Sequence, residues 1–288
     1  WLLQHHRRGN GSNRKRTVMS VGSSPVRFDA MSKTQGTAMY PGDRQADGAL
    51  VAKVVFTGQP HARLTRLDVG AAEAVPGVVT VVTAADVPRN EYGLTKFDQP
   101  VLINPINTDD VAVATNVSRW EADHLAVVVA ETVEAANAGA VAIVAEWEQL
   151  ELVPDIDAAL DDRVLVHPQD GTNSYTHLKI RHGDVEQGFA DADVIVEHTY
   201  EVPYQEHAYL QPEAATAWID ESGRVTVEVA GQWTHEDQEQ VAHALMLDPA
   251  QVRIIYPAIG GAFGGREDMS VQIVMALAAR KLAAMGVH

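Results

Sequence analysis

The stretch Gly260-Gly261-Ala262-Phe263-Gly264-Gly265-Arg266-Glu267-Asp268 decides the reading of this chain: a β-branched run, Gln251 to Tyr256, leads into it and an amphipathic segment leads out. Glycines lack a Cβ, so the main chain curls tightly there and a ligand can approach the backbone. The first-turn N–H groups of a following helix have no intrahelical acceptor. Together these features predict a strand–loop–helix unit suited to an anion, either a phosphate or an oxo group. Gly260 and Gly265 are spaced as in a phosphate loop, but Arg266-Glu267 stands where Lys-Ser/Thr belongs, and no G-x-G-x-x-G is present. A nucleoside-triphosphatase is rejected on that ground. Two readings stay open, a ligand loop and a turn whose glycines serve geometry alone.

Outward from the loop, Arg224 to Ala230 alternates strictly and reads as a strand with one buried and one wetter face. Glu221-Ser-Gly-Arg224 separates it, as a hairpin turn would, from a strand over Ala214 to Ile219. Asp193 to Val202 reads as a further strand. Thr234 is placed to cap the next helix, with Glu236 and Asp237 near its positive end. Val241, Leu245 and Met246 recur at helical spacing as a core stripe, and Asp248-Pro249 stops the helix.

In the first half, strands are expected over Ala49 to Phe56, Val78 to Val82 and His124 to Ala130. The helical composition of Thr132 to Ala140 and the apolar run Ala142 to Trp147 complete a β-α-β stretch, with parallel pairing open. Residues 161–178 carry Asp, Pro, Gly and Asn without a sustained period and read as a linker. The fold class expected is mixed α/β (α+β). Its parts are a tail over 1–25, an α/β domain over 26–160, the linker, and a second α/β domain over 179–288.

At 288 residues and 46% hydrophobic, the chain can bury a substantial core. Its apolar runs fall far short of a membrane span, so no membrane partner is expected. A net charge of −17 without a basic stripe argues against nucleic acid as a partner. There is no cysteine, hence no disulfide and no cysteine-held iron–sulfur cluster in this chain. His235-Glu236 lacks a second histidine at H-E-x-x-H spacing, so no direct metal ligand is expected. The basic, Ser/Gly/Asn-bearing start has no secretory apolar core and reads as a solvated arm or an upstream remnant.

The loop has company in order along the chain: Val227 to Val241, Pro249 to Tyr256, Ser270 to Leu277, and earlier Arg27 to Ala30, Gly36 to Tyr40, Pro60 to Arg63, Val75 to Val87, Val128 to Ala136, Gly183 to Val194 and Gln205 to Leu210. This series, covering about Val26 to Leu282, resembles the molybdopterin-binding subunit of the xanthine dehydrogenase and aldehyde oxidase family, the molybdenum hydroxylases. Arg266-Glu267-Asp268, with Tyr92-Gly-Leu94 and Asp98 to Leu102, looks most like the xanthine dehydrogenase branch. The resemblance implies an a/b hammerhead domain over 26–160, followed by the first part of the molybdopterin-binding domain. Glu121-Ala-Asp123 departs from the Val-Gly-Asp turn usual in relatives.

The resemblance also implies site roles. Gln232, taken alone a turn glutamine facing solvent, matches the glutamine that approaches the molybdenum centre. Gly261, Ala262, Phe263 and Gly264 match the loop around metal and pterin, with main-chain amides as donors. Glu267 has two open readings: a helix-start carboxylate held by the dipole, or the glutamate that contacts a purine ring. Arg266 receives no role, and the segment around His207, Tyr209 and Gln211, where a glutamate is frequent, is taken as structural. The base is expected beyond His288, so no catalytic residue is expected in this chain.

The implied protein is a cytoplasmic purine or N-heterocycle hydroxylase using water-derived oxygen. Its cofactor is molybdenum on molybdopterin, in the cytosine dinucleotide form. The expected partners are the C-terminal half of the molybdenum subunit, an iron–sulfur subunit and an FAD subunit. Rivals are an aldehyde or nicotinate-type hydroxylase, a non-catalytic phosphate or nucleotide-binding module, and an inactive fragment.

Overall fold

The computed structural model describes residues 21–44, 46–107 and 110–287. The tail expected over 1–25 lies outside the described residues for positions 1–20. Two units divide after Ala38. In the first, the short helix α1 (Ala30–Thr34) buries no side chain.

The second unit is mixed α/β, as the sequence implies. Its elements begin with β1 (Val51–Phe56), β2 (Ala62–Asp68), α2 (Gly70–Glu73), β3 (Val78–Val82), β4 (Val117–Ser118), β5 (His124–Ala130), α3 (Val133–Ala142) and β6 (Val144–Gln149). β5 is the centre of a sheet ordered β1-β5-β3, and its residues Leu125 to Ala130 are all buried. This continuous apolar run is what a strand covered on both faces requires. Thr132 caps α3 by accepting from the Ala135 amide at 3.1 Å. Gly139 brings α3 close to the sheet: a Cβ there would lie 2.8 Å from Val128 Cγ1 and 3.0 Å from Val78 Cγ2.

The β-α-β stretch does not form a parallel pair. β5 has antiparallel neighbours on both edges, so β6 has no free edge there and joins a separate antiparallel sheet, ordered β4-β2-β6. β2 alternates only over Ala62 to Thr65 before its register shifts between Leu64 and Arg66, so its period-2 pattern is too short to mark a strand in the sequence. The Glu121-Ala-Asp123 turn is closed by Asp123, whose carboxylate accepts from the Arg119 and Trp120 amides at 2.7 and 3.1 Å.

The remaining elements are α4 (Ile156–Leu160), α5 (Val185–Asp191), β7 (Ala215–Ile219), β8 (Val225–Val229), α6 (Thr234–Leu245), β9 (Val252–Ile255) and α7 (Gln272–Ala284). The sheet order is β7-β8-β9, with β7 antiparallel and β9 parallel to β8. The parallel crossover is therefore β8-α6-β9. Val225, Val227, Val229, Val241, Leu245, Ile273 and Leu277 share one core with Val82, Val127 and Val129.

Several local expectations change. β8 has no wet face, because its polar positions are covered too: Glu228, 3% exposed, accepts from Arg44 Nε at 2.9 Å. Thr234 is the first helical residue of α6 and Trp233 holds the cap position without a side-chain cap. Met246 takes a left-handed backbone at the end of α6, which turns its side chain out of the core stripe to 62% exposure. Asp193 to Val202 is exposed and joins no sheet, since no described strand supplies its backbone groups with a ladder.

Candidate functional site

Because β8 and β9 run parallel, their carboxyl ends open on the same side, where ligands bind in parallel α/β sheets. Gln232 follows β8 and the glycine loop follows β9, so residues 32 positions apart meet. Gln232 Oε1 accepts from the Gly264 amide at 3.0 Å and from the Arg266 amide at 3.3 Å. Its own amide donates to Arg266 O at 3.0 Å, and its Nε2 to Glu267 Oε1 at 3.4 Å. The structure thus joins Gln232, Gly264 and Glu267 in one hydrogen-bonded group.

The loop does not feed directly into a helix. Gly261, Phe263 and Gly264 have φ of 110°, 53° and 93°, and Gly265 N closes a turn on Ala262 O at 2.9 Å. Those left-handed residues reverse the chain, Asp268 takes the Met269 amide at 2.8 Å, and α7 begins only at Gln272. Glu267 therefore lies outside the helix, and its helix-start reading drops. The donors open to an anion therefore lie in the loop itself and not at the start of α7. The amides of Gly261, Ala262 and Phe263 find no acceptor among the described residues. Phe263 beside them is 76% exposed in a backbone conformation unfavourable to a side chain.

Arg266, to which sequence reasoning gave no role, is the keystone of the loop. It is 1% exposed and donates from Nε to Glu213 Oε1 at 2.7 Å, from Nη1 to Gly261 O at 2.7 Å and from Nη2 to Gln211 O at 2.7 Å. Its guanidinium also sits 3.9 Å from the Tyr209 ring centroid. The segment from His207 to Glu213 lines the loop: Gln211 Oε1 accepts from the Gly260 amide at 2.7 Å, and Tyr209 donates to Glu213 at 2.6 Å. Burial, with that hydrogen bond to Glu213, pushes the Tyr209 hydroxyl up to about 12. A glutamine at 211 serves here as an acceptor for both Gly260 and Arg266, work a glutamate could also do.

Behind the loop lies a group that sequence reasoning treated only as helix-end charge. Asp237 is fully buried in α6 and accepts from Tyr256 Oη at 2.5 Å and Gln272 Nε2 at 3.0 Å. Burial pushes its carboxyl up to about 6, against the lowering pull of these two hydrogen bonds. No alternation or motif singles out Asp237, because its partners are brought in by the β8-α6-β9 crossover. A cavity of about 420 Å³ lined by Phe97, Gln240 and His243 shares no residue with the loop. Among the described residues no cluster of His, Asp and Glu could hold a metal directly.

The donor set fits an oxo- and phosphate-bearing cofactor. Three unpaired consecutive amides, a carboxamide and a backbone held open by positive φ suit the oxygen acceptors of such a group. No helix of the described residues is long and apolar enough to cross a membrane.

Residues 35–151 match the family model of the aldehyde oxidase and xanthine dehydrogenase a/b hammerhead domain, and residues 166–285 that of the molybdopterin cofactor-binding domain. The chain is 34% identical to the nicotinate dehydrogenase large molybdopterin subunit of Eubacterium barkeri, over 89% of this chain and 58% of that one. It is also 34% identical to a probable xanthine dehydrogenase subunit of Bacillus subtilis (strain 168), over 90% of this chain and 33% of that one. The chain thus spans between a third and three fifths of the length of these relatives. Among solved structures, the aldehyde oxidoreductase from Desulfovibrio gigas is similar with a TM-score of 0.76 at 25% identity, covering 88% of this chain and 28% of that one. With both domain models matched in order along it, the chain belongs to the aldehyde oxidase and xanthine dehydrogenase family of molybdenum hydroxylases.

Proposed function

We propose that this chain supplies the hammerhead domain and the first part of the molybdopterin-binding domain of a hydroxylase acting on an electron-poor N-heterocycle, of which a purine is the first choice. The observation that carries this reading is the row of unpaired amides, Gly261 to Phe263, in the loop that Gln232 grips through the Gly264 and Arg266 amides after the carboxyl ends of β8 and β9. Gln232 and the amides of Gly261, Ala262 and Phe263 would hold the oxygen-rich cofactor, Gly264, whose amide bonds to Gln232, would give the loop its close approach to it, and Arg266 would keep their loop in shape. When bound, that cofactor supplies the two-electron oxidation and the water-derived oxygen. Glu267 would orient the substrate, its carboxylate accepting from a ring N–H. Identity to relatives named for nicotinate and for xanthine supports an N-heterocycle over a simple aldehyde.

The finer parts of the reading are the cytosine dinucleotide form of the cofactor, a cytoplasmic location, and assembly with the rest of the molybdenum subunit and with iron–sulfur and FAD subunits. The domains run over 26–160 and 179–288, joined by 161–178. The test is metal and nucleotide analysis of the chain purified within its assembled enzyme. Molybdenum with a pterin dinucleotide supports the proposal. Retention of a free nucleotide without molybdenum would favour a non-catalytic binding module instead.

A further inference from the structure

Gln232 holds the glycine loop, and a buried pair of side chains holds Gln232 in turn. The residue before it, Gly231, lies against that pair: a Cβ there would sit 2.1 Å from Tyr256 Oη and 2.9 Å from Asp237 Oδ2. Tyr256 ends the β9 side, at the entrance to the glycine loop, while Asp237 stands in the first turn of α6, just after Gln232. Their 2.5 Å hydrogen bond therefore ties together the two chain segments that carry the site.

A second line of contacts leaves the same carboxylate. Gln272, 1% exposed, donates to Asp237 Oδ2 at 3.0 Å while its Oε1 accepts from the Ser270 and Val271 amides at 2.8 and 2.9 Å. Ser270 Oγ donates to Glu213 Oε2 at 3.0 Å, Glu213 accepts from Arg266, and Arg266 bonds to Gln232 through its main chain in both directions. The hydrogen bonds run in one line from Tyr256 through Asp237, Gln272, Ser270, Glu213 and Arg266 to Gln232, and Gly231, which precedes Gln232, packs directly against Tyr256 and Asp237. At its buried end, where Asp237 and Gln272 meet, the network fixes one geometry because every alternative strands a donor or acceptor.

We infer that Asp237, gripped by Tyr256 and Gln272, is a positioning residue that fixes the Gln232 carboxamide and the glycine loop in the geometry presented to the cofactor. This rests on the proposed role of Gln232. Asp237 does not itself reach the open side of the loop, being fully buried, so its action runs through Gln232 and Arg266.

Hydrogen exchange of the 288-residue chain, without cofactor, tests it. The amides of Gln232, Gly264 and Arg266 all make hydrogen bonds in which Gln232 is one partner. Tyr256→Phe, which removes one hydroxyl, and Asp237→Ala should each speed exchange at these amides by about tenfold while β1, β3 and β5 keep their protection. Asp237→Asn, which keeps an acceptor for both partners, should restore the slow exchange. Exchange at the three amides within about twofold of the parent in Tyr256→Phe overturns the inference, as does an Asp237→Asn variant as fast as Asp237→Ala. If Asp237→Ala does not fold, Tyr256→Phe and Asp237→Asn decide alone. The readout needs no molybdenum, so its failure would remove the positioning role, whereas a wild-type enzyme without molybdenum would remove the cofactor reading.

Discussion

Replacing Asp237 by Asn should raise the stability of the folded chain relative to the parent progressively as the pH rises. Burial raises this carboxyl from its ordinary 3.8 to about 6 in the folded chain. A raised carboxyl favours the protonated folded form, so its contribution is fully present below about pH 4 and is lost as the pH passes through about 6. Above that range the ionised, buried side chain costs about 3 kcal/mol, since each pKa step corresponds to about 1.4 kcal/mol. Asparagine keeps an acceptor for Tyr256 and Gln272 and never ionises. It also places an N–H where Asp237 Oδ1 has no partner among the described residues, a cost independent of pH. The comparison therefore isolates ionisation: between about pH 4.5 and 7.5, the stability of Asp237→Asn relative to the parent should rise by about 2 kcal/mol. Urea unfolding followed by the tryptophan signal at the two pH values reads this directly. An equal stability difference at both would refute the buried, raised carboxyl on which the reasoning stands.

Other perturbations probe separate links. Gly139→Val should cost about 3 kcal/mol in the same unfolding assay, by forcing α3 off Val128 and Val78, whereas Gly188→Val, whose added Cβ meets nothing within 4 Å, should change stability by less than about 0.5 kcal/mol. Arg266→Ala should destabilise the chain by about 2–4 kcal/mol, because Glu213 loses its buried partner, and Arg266→Lys should recover only part of this since an ammonium cannot reach Glu213, Gly261 and Gln211 together. In the assembled enzyme, Glu267→Ala should lower kcat/KM for xanthine by about 10–100-fold and lower it less for an aromatic aldehyde, which has no ring N–H; an equal fall for both would make Glu267 structural. Gly264→Val should lower molybdenum content, because its φ of 93° is strained for a branched side chain.

The parts of this molecule that sequence made legible are those fixed by local chemistry. The uninterrupted run Leu125 to Ala130, the Thr132 cap and the alternation of β8 each set an element by themselves. Glycines at 260, 261, 264 and 265 announced a loop that departs from ordinary backbone, and three of the loop's residues do carry positive φ. What stayed illegible depended on distant partners. Both edges of β5 being taken decides that β6 leaves its sheet, and nothing in Ala142 to Trp147 says so. Arg266 reads as one more surface cation until Gln211, Glu213 and Gly261 are folded around it. Asp237 reads as a helix-start acid until Tyr256 and Gln272 arrive from 19 and 35 residues away.

The cofactor position proposed here, against the unpaired amides of Gly261, Ala262 and Phe263 and facing Gln232, is open to direct observation. Anomalous diffraction at the molybdenum edge, from crystals of the assembled enzyme, locates the metal without reference to any assumed site. The expected result is a peak on the open side of the glycine loop, beside the Gln232 carboxamide. A molybdenum peak remote from that loop, or a loop whose three amides still lack acceptors in a molybdenum-replete enzyme, would contradict it.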